Sequence, residues 1–279
     1  MLDRRLLIVT GKGGVGRSAV TAALARARAR RGERVLALAL GAGPGLAAHL
    51  GAAELTAVPR TAAEGVRGSE VVPDAALDEY VRRRIGANPL RLASRVFRVL
   101  AHAVPGIRDI VLLGKVVFEA TEGVWDAVVV DAPPAGQIDS TLRAPSVIES
   151  LVPSGTVHDE AARLRTVLQD EDQTEIVTVA TPDELALSEA GGVAATADDL
   201  GLTRSRVLIA NRVLEDPGFS SPPPEDFESG AAARLHLGLR SEQQPLLSAA
   251  RAAVHLPLLF GLSSPAEIAA ALADLVPVR

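Results

Sequence analysis

The sequence predicts an α/β fold with three layers, in which a mostly parallel central sheet carries helices on both faces. Three observations lead to this prediction. Short apolar runs alternate with helical patterns along most of the chain, as they do in parallel sheets covered on both sides. The first apolar run leads directly into a glycine-rich turn at residues 11–18, and a later one ends in Asp131 before a Pro/Gly turn. Polar and glycine-rich strand ends of this kind are typical of ligand sites at the carboxyl edge of such a sheet.

The elements follow from the position and period of the apolar residues. Strands are predicted at 5–10, 34–40, 69–72, 125–131, 175–180, 206–211 and, for a short one, near 255–260. Helices are predicted at 17–31, 45–50, 183–199 and 264–275. Two stretches interrupt the alternation. Apolar residues at helical spacing between Leu77 and Leu100 make 74–122 a helical insertion, and 212–252 is a second, irregular insertion with an exposed linker at 220–224 and a helix over 231–241.

Residues 11–18, GKGGVGRS, have the pattern of a phosphate-binding loop with one altered position. A strand that breaks into a glycine turn and reopens as a helix directs backbone N–H groups and the positive end of the helix dipole at one point. The usual pattern G-x-x-x-x-G-K-[ST] is met by Gly11, Gly16 and Ser18, but Arg17 replaces its lysine. A planar guanidinium does not substitute conservatively for a compact ammonium. The alternative is a glycine-rich turn before an ordinary helix; the coincidence of strand, glycines, basic residues and Ser18 favours phosphate binding.

Composition excludes several kinds of site. The 279-residue chain has no cysteine, which excludes disulfides, thiolate metal sites and iron–sulfur ligation within it. Its five histidines lack ligand spacing, and a net charge of -5 without aromatic-basic interleaving argues against nucleic-acid binding. No apolar stretch reaches the roughly 18 residues needed to cross a bilayer, and no signal-peptide pattern is visible in residues 1–9, which we expect to form a strand. We therefore expect a cytoplasmic protein without a transmembrane segment.

Asp131 ends an apolar strand immediately before the turn APPAG. A carboxylate in this position lies beside the magnesium ion in phosphate-loop proteins, as the Walker B or switch II aspartate does. The alternative is that Asp131 only caps the helix that follows. The phosphate loop upstream favours the functional interpretation.

Lys12, directly after the first glycine, gives the loop a resemblance to the deviant Walker A motif. Further segments resemble motifs of proteins that carry this loop, and they lie at 105–109, 113–116, 131–136, 181–184, 208–213 and 255–259. Together they resemble the arsenical pump-driving and tail-anchored-protein-targeting ATPases. The resemblance is strongest to the actinobacterial paired homologues, in which two unlike subunits assemble, and it implies that 1–279 is a single P-loop ATPase domain.

The resemblance also implies a cofactor and a set of site residues. The cofactor is ATP or ADP with Mg2+, and the asparagine at 211 reads the adenine edge. The early lysine, Lys12, reaches a partner's nucleotide, which implies a dimer. The implied catalytic residues are Lys12, Arg17 and Asp131, and the implied magnesium ligands, partly through water, are Ser18 and Asp131. The implied nucleotide contacts are Gly11, Gly13, Gly14, Val15, Gly16, Ser18, Ala19, Pro134, Asn211, Arg212 and Pro257.

The sequence departs from that family after the second predicted strand. There the family has D-P-A-H-S-L-x-D, whose first aspartate positions the attacking water, whereas residues 41–48 are GAGPGLAA and hold no carboxylate. Losing such a group costs on the order of 10²-fold in rate. We therefore expect slow hydrolysis and a dimer with an unlike, active paralogous subunit. Two alternatives stay open: an active homodimer in which Asp109 or Glu119 replaces the aspartate, and a regulatory or scaffold protein that has lost nucleotide. Adaptable hydrophobic grooves are often rich in methionine, whereas this chain has one methionine and no cysteine. The sequence therefore identifies no client.

Overall fold

The computed structural model describes residues 1–41, 44–73, 75–76, 79, 106–202, 206–218 and 228–278. The strands are β1 (Leu6–Gly11), β2 (Val35–Ala39), β3 (Arg60–Ala63), β4 (Val66–Glu70), β5 (Ala127–Asp131), β6 (Thr174–Ala180), β7 (Arg206–Val213) and β8 (Val254–Pro257). The helices are α1 (Arg17–Arg30), α2 (Gly45–Leu50), α3 (Ile107–Thr121), α4 (Ala135–Leu151), α5 (Thr156–Gln169), α6 (Glu184–Asp199), α7 (Glu228–Ala250) and α8 (Pro265–Ala273).

The described strands form one sheet in the order β3-β4-β2-β5-β1-β6-β7-β8. Every neighbouring pair is parallel except β3 and β4, which form an antiparallel hairpin at one edge. β1 lies in the middle, with Val9 beside Asp131 of β5 and Gly11 beside Val179 of β6. The chain leaves β1 towards β2 on one side and β6 lies on the other, so the carboxyl end of β1 is a topological switch point. Open α/β sheets bind ligands at such points.

Both faces of the sheet are buried, and β1 shows why. Its successive side chains point to opposite faces. Leu7 and Val9 pack with residues of α1 and α8, whereas Leu6 and Ile8 pack with residues of α3, α4 and α5. A strand covered on both faces reads as a continuous apolar run rather than an alternating one, which explains the sequence LLIV at this point.

The predicted fold class is confirmed, and most predicted elements agree with the structure to within one or two residues. Four differences remain. The strand predicted at 69–72 is β4, and its partner β3 was missed because RTAA carries no buried apolar run. Helices α4 and α5 were not predicted; α4 follows two prolines and contains Pro145. The strand predicted near 255–260 ends at Pro257, and Phe260 beyond it is exposed. Helix α7 extends well beyond the predicted 231–241.

The two predicted insertions are described only in part. Helix α3 lies within the first and α7 within the second. The apolar pattern from Tyr80 to Leu100 and the linker at 220–224 lie outside the described residues, so the insertion limits and the single-domain assignment stay predictions. Within the described residues, no helix combines the length and the apolar character needed to cross a bilayer.

Candidate nucleotide site

The loop between β1 and α1 leaves the helix start open. Gly16 stands at the N-cap of α1 with φ 95°, and no side chain caps the helix there. Gly14 also has positive φ, at 89°. Glycine adopts this conformation without the steric penalty that other residues incur. The first N–H groups of α1 are thus left without a side-chain acceptor, which is the arrangement that binds anions at helix N-termini.

Two glycines of the loop are also required by their surroundings. A Cβ on Gly11 would lie 2.1 Å from the carbonyl oxygen of Val179, because β1 and β6 run side by side. A Cβ on Gly16 would lie 2.4 Å from Nδ2 of Asn211. Gly13 and Gly14 have open space at the same position. The loop backbone is therefore packed on its β6–β7 side and open on the side of the other two glycines.

Ser18 and Asp131 meet at the start of α1. The Ser18 hydroxyl donates to Asp131 Oδ2 at 2.6 Å, because adjacent strands β1 and β5 bring the end of β5 beside the loop. Burial raises the pKa of Asp131 above its ordinary value, and the Ser18 hydrogen bond and the charges of Arg17 and His49 offset part of that rise. The other carboxylate oxygen, Oδ1, is buried without a hydrogen-bond partner.

An unpartnered buried carboxylate oxygen requires a physical explanation. A hydroxyl and a carboxylate side by side are hard oxygen donors of the kind that Mg2+ binds, directly or through its waters. The residues present therefore fit a magnesium ion beside the loop. The helix-cap alternative for Asp131 is wrong, since the N-cap of α4 is Pro134 and receives no side-chain cap.

Arg17 is directed at the turn that follows Asp131. Its guanidinium donates to the carbonyl oxygen of Ala132. From the same side, the Thr10 hydroxyl donates to the carbonyl oxygen of Pro133 at 2.7 Å. Two donors on β1 and α1 thus hold the backbone of the Asp131 turn, and the guanidinium is partly committed to that backbone.

Asn211 lies inside β7, and its side chain reaches the phosphate loop. It is 4% exposed, and Nδ2 donates to the carbonyl oxygen of Val15 at 2.8 Å. The alternative of a turn asparagine is wrong, because β7 continues to Val213. Arg212 follows with φ 59°, and Pro257 at the end of β8 pairs with Val213. The bridge from Asn211 to the loop was missed, because no local pattern links residues 196 positions apart.

Lys12 lies near the loop that follows β6. Burial alone would favour the neutral form of Asp183, but hydrogen bonds from Thr181 and the Ala186 N–H, together with the charge of Lys12, lower the pKa of Asp183 below its ordinary value. Asp183 also caps α6 through that same N–H. Ala19 is buried in the core, so only its backbone is available to a ligand.

Cavities lie at the carboxyl edge of the sheet. One, of about 640 Å³, is lined by Arg17, Ser18 and Asp131 and by residues of α3 and α4. The other, of about 730 Å³, lies beside β6 and β7. Its lining includes Thr181, Pro182, Asp183, Arg212, Leu214 and Leu258. The cavity at Arg17 and Ser18 is thus the more polar of the two, and the cavity beside β6 and β7 is the more apolar.

The segment after β2 passes directly beside Ser18. A Cβ on Gly45 would lie 2.9 Å from Ser18 Oγ, whereas a Cβ on Gly41 would meet nothing within 4 Å. Gly41 and Gly45 both line the cavity in front of Asp131. Ala42 and Gly43 lie outside the described residues. The segment therefore borders the site, and by its sequence it brings no carboxylate there.

The two acids named as replacements lie in different surroundings. Asp109 lines the cavity in front of Asp131. Glu119 is 6% exposed, pairs with Lys115 at 2.8 Å and accepts from the Trp125 indole at 2.7 Å. Glu119 is engaged in the core and is thus wrong as a replacement. No cluster of three or more potential metal ligands occurs among the described residues.

The profile of the anion-transporting ATPase family matches residues 4–155, just over half of the chain. The chain belongs to this family. The match contains the phosphate loop, helix α3 and the Asp131 turn, and it confirms the resemblance seen in the motifs. Asn211 and Pro257 lie beyond the matched range.

Relatives of this family member occur in actinobacteria and in yeast. It is 31% identical to ATPase BagA of Mycobacterium tuberculosis over 208 residues, which are 66% of this chain and 58% of the relative. It is 32% identical to uncharacterized protein SCO2128 of Streptomyces coelicolor over 262 residues, 88% and 62% of the two chains. It is 27% identical to ATPase get3 of Schizosaccharomyces japonicus over 146 residues, 51% and 44%. The chain thus spans roughly three fifths of the length of its actinobacterial relatives.

Proposed function

We propose that the chain binds Mg-ATP or Mg-ADP at residues 11–18 and hydrolyses ATP slowly, as one cytoplasmic subunit of a dimer. The observation that carries the proposal is the Ser18–Asp131 pair, with its unpartnered Oδ1, beside the uncapped start of α1. Such a site offers N–H donors to phosphate oxygens and oxygen ligands to a divalent cation. When bound, Mg2+ would neutralise charge on the phosphates and polarise the terminal group.

The nucleotide contacts follow the two sides of the loop. The phosphates lie against the backbone of Gly13 to Ser18, with Gly11, Gly16 and Ala19 shaping the loop. The base lies towards Asn211 and Arg212, beside the more apolar cavity, with Pro257 and Pro134 as further contacts. An amide has a donor and an acceptor with which to read the adenine edge.

Slow hydrolysis is proposed from two features of the phosphate side. Residues 41–48 hold no carboxylate to orient water. The Arg17 guanidinium donates one of its hydrogen bonds to the Ala132 carbonyl oxygen. Phosphoryl transfer depends on the position of the nucleophile and on charge stabilisation at the transferred group. Removing one such contact lowers the rate by about 10²-fold.

The dimer is proposed from Lys12, because the resemblance to the deviant Walker A motif implies that the lysine at this position reaches the nucleotide of a partner. In this chain Lys12 lies near Asp183. An unlike, active paralogous subunit is the preferred partner, because it would bring the carboxylate that residues 41–48 of this chain lack. One observation favours a second candidate, an active homodimer: Asp109 lines the cavity in front of Asp131. No nucleic-acid partner is proposed, and the client stays unidentified.

The test combines calorimetry, mass measurement and turnover on the purified chain. We expect binding of Mg-ATP and Mg-ADP, little steady hydrolysis alone, and a rise in mass and turnover when a paralogous subunit from the same cell is added. Rapid hydrolysis by the chain alone as a dimer would favour the active homodimer. Absence of any heat or thermal shift with either nucleotide would contradict the proposal and favour a regulatory or scaffold protein.

A further inference from the structure

We propose that Asp109, held by Thr141, orients the attacking water for the hydrolysis that this chain retains. The inference rests on the proposed function and deepens it, since it names the group that carries out the slow reaction. Among the described residues, Asp109 and Asp131 are the carboxylates that line the cavity in front of Ser18.

Asp109 is held in a defined position. It lies in the first turn of α3, whose N-cap residue is Gly106 with φ 90°. The Thr141 hydroxyl of α4 donates to Asp109 Oδ1 at 2.7 Å. Thr141 is 2% exposed, so its hydroxyl cannot turn freely to solvent. A buried donor on one carboxylate oxygen fixes the side chain and leaves Oδ2 for a second partner.

Asp109 shares its cavity with the groups that hold the phosphates. Ser18, Asp131 and Arg17 line this cavity, as do Arg108, Asp109 and Thr141 of α3 and α4. A polyphosphate bound at the start of α1, with its cation held by Ser18 and Asp131, would have its terminal phosphoryl group at this cavity. A water that attacks that group from within the cavity would then be within reach of Asp109. The two guanidinium groups balance the two carboxylates.

The proposed step is an in-line displacement. The water oxygen forms a bond to the γ-phosphorus while the bond from that phosphorus to the bridging oxygen of the β-phosphate breaks, and the bond electrons leave with ADP. The water proton passes to the Asp109 carboxylate and from there to solvent. The products are ADP, inorganic phosphate and one proton. Asp109 touches the reacting water and is the catalytic residue, whereas Thr141 acts through it as a positioning residue.

Gln137 is the competing group, because it lines the same cavity and a glutamine amide can orient water. It is neutral and accepts no proton at neutral pH, so it cannot do all that the step requires. The test therefore includes a Gln137→Ala variant. If that variant loses hydrolysis while Asp109→Asn retains it, the assignment to Asp109 is overturned.

The experiment measures single-turnover hydrolysis, Mg-ATP affinity and binding of Mg-ADP with aluminium fluoride, a mimic of the transferred phosphoryl group. Asp109→Asn should lower the hydrolysis rate by about 10²-fold or more, leave Mg-ATP affinity within about twofold, and weaken binding of the fluoride complex. Thr141→Val should lower the rate by about tenfold, and Thr141→Ser, which keeps the hydroxyl, should restore it. Asp159→Asn is the matched control, since Asp159 is an exposed first-turn aspartate of α5 remote from the cavity.

Each outcome of these measurements supports or overturns the role proposed for Asp109. Unchanged hydrolysis in Asp109→Asn overturns the inference, as does a rate loss that the Mg-ATP affinity follows in proportion. Wild-type protein that binds nucleotide but hydrolyses none overturns the inference and leaves the proposed binding intact. Wild-type protein that binds neither nucleotide removes the proposed function itself.

Discussion

The phosphate loop and the segment after β2 border the same site and bring different groups to it. Residues 11–18 keep the glycines and Ser18, and the backbone is bridged by Asn211. Residues 41–48 pass close enough for a Cβ on Gly45 to reach Ser18, yet they hold no carboxylate. Binding of phosphates depends mainly on backbone N–H groups, whereas catalysis depends on particular side chains. A chain with the glycines of the first segment and no carboxylate in the second should separate binding from turnover.

The largest expected effect comes from the loop itself. Gly16→Val should lower Mg-ATP and Mg-ADP affinity by more than about 100-fold, because a branched side chain would meet the Asn211 amide and strain a backbone with φ 95°. Calorimetry measures the loss. Gly238→Ala is the control, since that helix position has open space around its Cβ. Unchanged affinity in Gly16→Val would contradict the assignment of the loop.

Asp131→Asn should separate stability from binding. We expect Mg-dependent nucleotide affinity to fall by about 10- to 100-fold, as it does when groups around a metal are replaced. The nucleotide-free protein should become more stable at neutral pH, because burial raises the pKa of Asp131 and the charged form is therefore disfavoured in the folded state.

The pH dependence gives the sign of that stability effect. A carboxyl with a raised pKa binds more protons folded than unfolded, so its contribution to stability falls as pH rises through the folded pKa. Thermal unfolding should show the gain of Asp131→Asn at neutral pH shrinking as pH approaches the ordinary value of about 3.9. A variant less stable than wild type at neutral pH, without nucleotide, would contradict this account.

Asn211→Ala tests whether the bridge to the loop also reads the base. Loss of a buried hydrogen-bonding group should weaken ATP binding by roughly 1–3 kcal/mol, and GTP binding by less. Competition between the two nucleotides measures discrimination. An equal loss for both would mean that Asn211 acts only by holding the Val15 carbonyl.

The smallest expected change in nucleotide affinity comes from a double substitution at positions 17 and 41. It tests the role of the segment after β2 directly. Arg17→Lys combined with Gly41→Asp should raise hydrolysis by about tenfold or more with little change in affinity, because lost transition-state contacts affect kcat. Gly41 lines the cavity and has room for a side chain. No increase in the double variant would show that these positions do not limit turnover.

The same contrast shows what sequence reasoning could predict. The loop, β1 and the end of β5 were predicted because glycine spacing and apolar runs are local signals. Helix α4 was missed because Pro145 lies inside it and two prolines precede it. The contacts of Arg17 with Ala132 and of Asn211 with Val15 join residues 115 and 196 positions apart. Such contacts depend on strand order, which local patterns do not fix.

A single-turnover experiment, with purified wild-type chain in excess over ATP and Mg2+, tests the separation of binding from turnover most directly. It reports bound nucleotide and its cleavage in one sample. The account predicts that ATP becomes protein-bound and stays uncleaved with a half-life of about one minute, since a turnover of about 1 s⁻¹ would be slowed about 10²-fold. ATP that is cleaved within a few seconds by the chain alone, or that never becomes bound, would contradict it.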